Sequence, residues 1–319
     1  MRNICLISNP HARRNRNAPG ALERLHSLLG PDDLAFVSHD AGALEEAAEQ
    51  CIQRGIALVG LNGGDGTNHV TISQFIRTYA AQGVDLPAFA FLRGGTMNTV
   101  SRSFSVRGTP ASIVARLVRA RDAGRRWMIV RRRPIRVVDG TTTRYGFIVG
   151  AGLMVNFLEE YYRHPEVSPR VAAQTLLRGL GSVAINGATA RRLLHSFDAD
   201  LEVGDQPWLD GTFAAFFAST QHEIGLGFRP FHRATESLDT FHALALRGPL
   251  TRIARALPAV RLGRPVNLVG FDDTTTDRLT VKAASPIGCS IDGDIYPAAQ
   301  QLDLSLGPLL DLVVDADPR

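Results

Sequence analysis

Asp65 sits inside a glycine cluster, Gly63-Gly64-Asp65-Gly66-Thr67, between an apolar run from Ile56 to Leu61 and a stretch from Thr67 to Ala80 with helical character. The apolar run has the length and β-branched flavour of a buried strand, and the glycines end it. A loop of this kind suits phosphate. Glycines can take positive φ and let a ligand touch the backbone, and the helix end offers amide donors and partial positive charge. Asp65 is out of place there, because a carboxylate repels phosphate unless a metal ion or a reacting proton lies between them. The combination points to phosphoryl transfer, although the bare loop also fits a structural strand-to-helix turn. No residues fit a Walker A loop, since Lys282 is the sole lysine and lacks the required glycines before it. Backbone amides, Thr and Asn side chains and arginine would have to hold a nucleotide.

The elements around this loop alternate. Asn3 to Ser8 reads as a strand ending in Asn9-Pro10, Ala21 to Leu29 as a helix, Leu34 to Val37 as a strand, and Asp40 as the cap of a helix reaching about Arg54. Pro87 to Leu92 is a further strand ending in a second glycine turn, Gly94-Gly95-Thr96-Met97-Asn98, and a helix from Pro110 to Ala120 follows. Such alternation predicts a parallel sheet covered on both faces, with ligands beyond the strand C-termini. Asn9-Pro10 and the two glycine turns then converge on one ligand.

Past Gly124 the pattern changes. Trp127 to Val138, broken at Pro134, and Thr143 to Gly150 read as strands joined through Asp139-Gly140. Helical pieces follow near Gly152 to Arg163 and Pro169 to Leu194. Strands are then expected at Phe197 to Val203, Gly211 to Ser219, Phe241 to Leu246, Val266 to Phe271, Arg278 to Ala283 and Gly288 to Ile291. Frequent short strands predict an antiparallel sandwich. The tail, Gln301 to Leu306 and Leu309 to Val314, is strand-like and suits either domain.

A chain of 319 residues fits two medium domains, and 45% hydrophobic residues is ordinary for a globular protein. The longest nearly uncharged apolar stretch, Tyr145 to Leu158, is shorter than the roughly 18 to 20 residues of a spanning helix. Met1 to Pro10 lacks the apolar region and small-residue cleavage site of a secretory signal. Cys5, Cys51 and Cys289 are far apart and odd in number, which argues against a disulfide framework or a zinc site. Together these predict a cytoplasmic protein. Arginines cluster at Arg13, Arg14 and Arg16, at Arg125 and Arg126, and at Arg131 to Arg133. They read equally as solvated faces or as contacts to phosphates of a nucleotide or an anionic membrane. Zinc-finger spacing and RNA-binding aromatic signatures are missing, so nucleic acid is not expected as a partner. Oligomeric state is not legible.

Gly63 to Thr67, followed about thirty residues later by Gly95-Thr96-Met97-Asn98, with Asn9-Pro10 upstream and Ile291-Asp292-Gly293-Asp294 downstream, resembles the diacylglycerol kinase catalytic family. That family includes bacterial lipid kinases and the sphingosine and ceramide kinases. The resemblance implies an α/β plus all-β fold: a phosphofructokinase-like nucleotide-binding domain over residues 1–124, to which the tail 307–319 returns, and a C-terminal β-sandwich domain for the lipid substrate over residues 125–306. It implies an ATP-dependent lipid kinase using Mg2+, cytoplasmic and peripherally associated with a membrane, that phosphorylates a hydroxyl of a diacylglycerol-like or sphingoid lipid.

By the same resemblance, Asn9, Pro10, His11, Ala12 and Arg13 line the nucleotide phosphates and Ser38 falls near the nucleotide. Gly63, Gly64, Asp65, Gly66, Thr67, Asn68, His69 and Val70 belong to the phosphate loop, and Thr96 and Asn98 support the nucleotide from the second turn. Asp292 and Asp294 hold the general base, which takes the proton of a lipid hydroxyl, and Asp65 organises metal and phosphate. The sequence departs from the family at several points. His11 to Arg14 replace the usual serine and glycine, His69 and Val70 stand where Asn-Glu is common, and Thr99 replaces an acidic residue. Thr235-Glu236-Ser237 replaces an Asp-Asp-Gly segment that can bind structural magnesium. Two other readings therefore stay open: a nucleotide-binding regulator that has lost catalysis, and an NAD kinase, against which the Gly-Thr-x-Asn form of the second turn speaks. Lipid-binding candidates are the helices within Gly152 to Leu194, with Leu153, Val155, Phe157, Leu158, Tyr161, Tyr162, Leu176, Leu177, Leu180 and Val183 apolar, most of them expected in the core, and Arg163, Arg170 and Arg178 suited to an anionic interface.

Overall fold

A computed structural model describes residues 2–18, 20–38, 40–140, 142–164, 168–184 and 195–316. The chain divides into two compact units, Met1–Arg132 with Pro308–Arg319, and Arg133–Gly307.

The first unit is built on strands β1 (Ile4–Ser8), β2 (Leu34–Val37), β3 (Leu58–Asn62), β4 (Ala88–Phe91), β5 (Trp127–Arg132) and β16 (Leu310–Ala316), in the order β2-β1-β3-β4-β16-β5. All neighbours are parallel except β16 and β5. β1 and β3 are buried at every position, as strands covered on both faces should be. Short helices α1 (Arg13–Arg16) and α2 (Ala21–His26) follow β1, α3 (Ala41–Gln53) joins β2 to β3, and α4 (Asp65–Gln82) joins β3 to β4. Asp40 caps α3 by accepting from Ala43 N at 2.9 Å. Phe75 of α4 meets Phe89 of β4 edge to face, with ring centroids 5.9 Å apart, and this contact fixes α4 on the sheet. Next come α5 (Thr99–Ser103) and α6 (Pro110–Asp122), the latter closed by a Thr109–Ser112 capping box with Pro110 in its first turn.

The change of pattern placed near Gly124 falls later in the structure. β5 stays in the first sheet through its ladder with β16, from Leu310↔Arg132 to Ala316↔Trp127. Pro134, which cannot donate to a ladder, separates β5 from β6 (Ile135–Asp139), and the two strands belong to different sheets.

The second unit holds an antiparallel sheet, ten-stranded among the described residues, of β6, β7 (Thr142–Gly146), β8 (Ile148–Gly152), β9 (Phe197–Val203), β10 (Gln206–Phe213), β11 (Ala215–Ser219), β12 (Phe241–Leu246), β13 (Phe271–Thr276), β14 (Arg278–Ile291) and β15 (Asp294–Leu306). β6 and β7 form the expected hairpin at Asp139-Gly140. Arg278 to Ala283 and Gly288 to Ile291, expected as two strands, are one. β14 pairs with β9 over Leu279–Ala283 and with β8 over Cys289–Ile291, and register shifts fall between Lys282 and Cys289. These irregularities bend the strand, so both parts of the sheet contribute side chains to one core that includes Val137, Val149, Leu201, Phe216, Val281 and Leu304. The fold class read from the sequence, α/β followed by antiparallel β, stands.

Helices α7 (Leu153–Tyr162), α8 (Pro169–Ala184) and α9 (Leu250–Arg261) accompany this sheet. The helix expected to reach Leu194 is described only to Ala184, and 185–194 lie outside the described residues. Val266 to Phe271 is not the strand expected. Gly270 takes φ +86° and Phe271 N bonds Leu268 O in a turn, so β13 begins only at Phe271. α9 has no counterpart in the sequence reading, because Pro249 and Pro258 bracket a segment whose apolar spacing is short. Pro249 serves as its N-cap residue.

Candidate functional site

In the first unit the loops after β1, β3 and β4 leave the same edge of neighbouring parallel strands, and hydrogen bonds join them. Asn9 N donates to Asn62 O at 3.1 Å, Asn9 Nδ2 to Thr67 Oγ1 at 2.9 Å, and Arg14 N to Gly94 O at 3.1 Å. The expected convergence of Asn9-Pro10 with both glycine turns is present. Asn15 ties two of the loops again through Nδ2, which donates to Asn9 O at 2.6 Å and Asn62 O at 3.2 Å. The first turn is further shaped by His11 N donating to Asn9 Oδ1 at 2.8 Å, and Ala12 precedes Arg13 at the start of α1. Ser38 N bonds Ser8 O at 2.9 Å and so stands at the same strand edge.

The glycines of the first turn do not take the positive φ expected of them. Gly63, Gly64 and Gly66 are not among the positive-φ residues; Gly64, the N-cap residue of α4, is extended at φ −90°, ψ −175°. What these turns need is absence of a side chain. A Cβ on Gly63 would stand 2.3 Å from Thr67 Cβ, and one on Gly95 would stand 2.3 Å from Gly64 Cα. The two turns touch backbone to backbone.

Asp65 opens α4 two residues before the expected start, where a carboxylate favours the helix dipole. Its Oδ2 accepts from Thr99 N at 2.8 Å and its Oδ1 from Val100 N at 3.1 Å. The residue that looked awkward beside phosphate thus caps α5 from a distance and holds the second turn against the first. Asn98, at φ 50°, closes that turn on itself: it accepts from Gly95 N at 3.1 Å and donates to Gly95 O at 2.8 Å. Thr96 is half-buried on the turn, Asn68 and His69 are buried on α4, and Val70 is half-buried. The first intrahelical bond of α4, Asn68 N to Gly64 O at 3.0 Å, lies beyond the amides of Gly66 and Thr67, which point out of the helix start.

Arg93, Asn15 and Asn62 are functional candidates absent from the sequence reading. Arg93 follows β4 at φ 61°, and burial together with repulsion from Arg14 and Arg102 lowers its affinity for its proton. Three guanidinium groups therefore gather beside the glycine turns. The sequence signal for Arg93 and Asn62 is their position, each immediately before a glycine pair at the end of a buried strand.

In the second unit Asp292 and Gly293 form the turn between β14 and β15, both at positive φ, 49° and 98°. Asp292 is buried. Its Oδ1 accepts from Phe147 N at 2.9 Å and Ile148 N at 2.8 Å, and its own N donates to Ile148 O at 2.9 Å. Gly146 is required alongside, since a Cβ there would lie 2.3 Å from Ile291 Cγ2. Asp294 differs, because burial pushes its carboxyl above the usual carboxylate range. Beside it the Tyr296 phenol is pushed up to about 12, chiefly by burial and then by the Asp294 charge, and the Arg144 guanidinium lies 4.2 Å from the Tyr296 ring centroid. Tyr162 of α7 donates to Gly293 O at 2.9 Å, which ties the helix with lipid-binding candidates to this turn. On these helices Tyr161 is buried and stacks with Phe157, while Tyr162 and Leu177 are 47% and 66% exposed. Arg163, Arg170 and Arg178 are exposed.

An α/β unit with three joined loops at the strand C-terminal edge, followed by an antiparallel β unit, is what fold and loops define. Residues 3–125 match the family described as the diacylglycerol kinase catalytic domain, a lipid kinase family, and the resemblance drawn from the motifs stands for that segment. No curated protein matches the chain. Among solved structures, a provisionally named diacylglycerol kinase from Bacillus anthracis str. Sterne is similar with a TM-score of 0.66 and 14% identity, over 99% of this chain and 98% of that one. A diacylglycerol kinase from the same strain gives 0.61 and 13%, over 99% and 97%. At such identity the likeness speaks for the fold. Among the described residues, no helix is long and apolar enough to cross a membrane.

Proposed function

We propose that the chain is an ATP-dependent lipid kinase that transfers the γ-phosphate to a hydroxyl of a diacylglycerol-like or sphingoid lipid. The observation that carries this reading is the joining of three loops at the strand C-terminal edge around the start of α4, without a P-loop lysine. The phosphates lie against Asn9 to Arg13 and the amides that open α4, with arginine balancing their charge. Thr96 and Asn98 support the nucleotide through the second turn. Asp65 acts as a positioning residue, since both its oxygens hold α5. The loops offer donors suited to phosphate, and the only carboxylate among Gly63 to Val70 is engaged by amides, so Mg2+ would arrive with ATP and supply charge neutralisation on its phosphates.

Asp294 is the general base, because its burial favours taking up a proton. The lipid hydroxyl gives its proton to the Asp294 carboxylate, its oxygen bonds to the γ-phosphorus, and the bond from γ-phosphorus to the β-bridging oxygen breaks to release ADP. Asp292 keeps the turn that carries Asp294. The partner is a lipid at a membrane surface, met through the exposed Tyr162 and Leu177 with Arg163, Arg170 and Arg178. The test is transfer of γ-labelled phosphate from ATP to an extracted lipid mixture, with product lipids identified by mass spectrometry. Label in lipid supports the reading. Label on NAD, or none while ATP still binds, rejects it in favour of an NAD kinase or a regulator.

A further inference from the structure

His232, His242 and Asp273, which no motif of the sequence uses, come together at the outer strands of the second unit's sheet. His242 lies on β12 and Asp273 on β13. The register pairs His242 with Thr275 and Leu244 with Asp273, so the two side chains are diagonal neighbours on one face. His232 comes from the segment between β11 and β12. One donor atom from each of the three lies within 4.8 Å of the others. The His232 and His242 rings meet edge to face with centroids 4.9 Å apart.

His242 is 0% exposed, and neither of its ring nitrogens makes a hydrogen bond. Its Nε2 stands 3.3 Å from Asp273 Oδ1, close but without hydrogen-bond alignment. A buried imidazole with two unsatisfied nitrogens is unfavourable unless something completes their bonding. Arg233 Nη1 donates to Asp273 Oδ1 at 3.2 Å and is itself paired with Glu236 at 3.2 Å, an arrangement that fixes the carboxylate and offsets the arginine charge.

We propose that His232, His242 and Asp273 bind one divalent transition cation of the zinc class, with water as a fourth ligand. Two imidazoles and one carboxylate are the donor set that such cations favour, whereas magnesium and calcium favour oxygen alone. On tetrahedral zinc the donor atoms stand about 3.4 Å apart, so the cluster closes by at most about 1.4 Å on loading. Asp273 is exposed and His232 half-buried, which leaves a path for the ion. The site is separate in residues and in donor chemistry from Thr235-Glu236-Ser237. The case against zinc in the sequence rests on cysteines, and this cluster contains none. The proposal does not rest on the kinase reading.

The test is Co2+ titration of the tag-free, chelator-treated full chain, followed by visible absorption and by Zn2+ displacement. One equivalent of Co2+ with the intense bands of four-coordinate geometry, bleached by one equivalent of Zn2+, is expected. His232→Ala and Asp273→Asn, at positions with solvent access, should lose those bands and weaken Co2+ binding more than about tenfold. Lys282→Gln, exposed and paired with Glu202, should change neither. Absence of saturable Co2+ uptake up to millimolar concentration overturns the site, as does unchanged affinity in both the His232→Ala and Asp273→Asn proteins.

Discussion

Asp65 of the first unit and Asp292 of the second do the same work in unlike surroundings. Each sits beside glycine, and each carboxylate accepts two consecutive backbone amides of a distant segment: Thr99 and Val100 for Asp65, Phe147 and Ile148 for Asp292. Around Asp65 the loops present amides and arginines, and the carboxylate holds two turns together. Around Asp292 the turn delivers a second carboxyl, Asp294, whose charged form burial disfavours. An aspartate in a glycine turn is therefore not chemistry by itself. The group to suspect is the one whose ionisation its surroundings oppose.

Substitutions can break this comparison at graded cost. Asp292→Ala leaves two buried amides without an acceptor and should lower stability by about 3–5 kcal/mol in urea unfolding; a loss below about 1 kcal/mol would mean that these bonds do not hold the turn. Gly95→Ala forces a Cβ against Gly64 and should cost about 2–3 kcal/mol while impairing ATP binding, as read by thermal melts and by titration with nucleotide. Asp65→Ala removes the distant cap of α5 and should cost about 1–2 kcal/mol, a loss that Asp65→Asn recovers only in part.

The smallest effect runs the other way. The folded pKa of Asp294 is raised, so its charged form opposes folding at neutral pH, and this opposition fades as pH falls through the folded value towards the unfolded one. Asp294→Asn should accordingly raise the melting temperature slightly at neutral pH, with the difference from wild type shrinking on acidification. A lower melting temperature at neutral pH would show that the Asp294 charge supports the fold.

What could be read from the sequence followed local pattern. Leu34 to Val37, the Asp40 cap and the Asp139-Gly140 hairpin needed only period and turn chemistry, and the glycine turns were placed correctly from the strands before them. What was hidden depends on contacts between distant residues. Nothing near Asp65 announces that Thr99 and Val100 will be its partners, and nothing near Gly63 says that Thr67 occupies the space of its missing Cβ. Likewise β14 reads as two strands because its middle, with Ser285 and Pro286, lacks strand character, and only the neighbours it bridges make it one. The His232, His242 and Asp273 cluster is scattered over three segments with no motif spacing.

The most direct measurement compares wild type with Asp294→Asn for transfer of labelled γ-phosphate from ATP to a lipid hydroxyl, alongside melting curves and ATP titrations. The account predicts a fall of about 10² to 10⁴ in transfer rate for Asp294→Asn, with folding and ATP affinity retained. An unchanged transfer rate in that protein would contradict it.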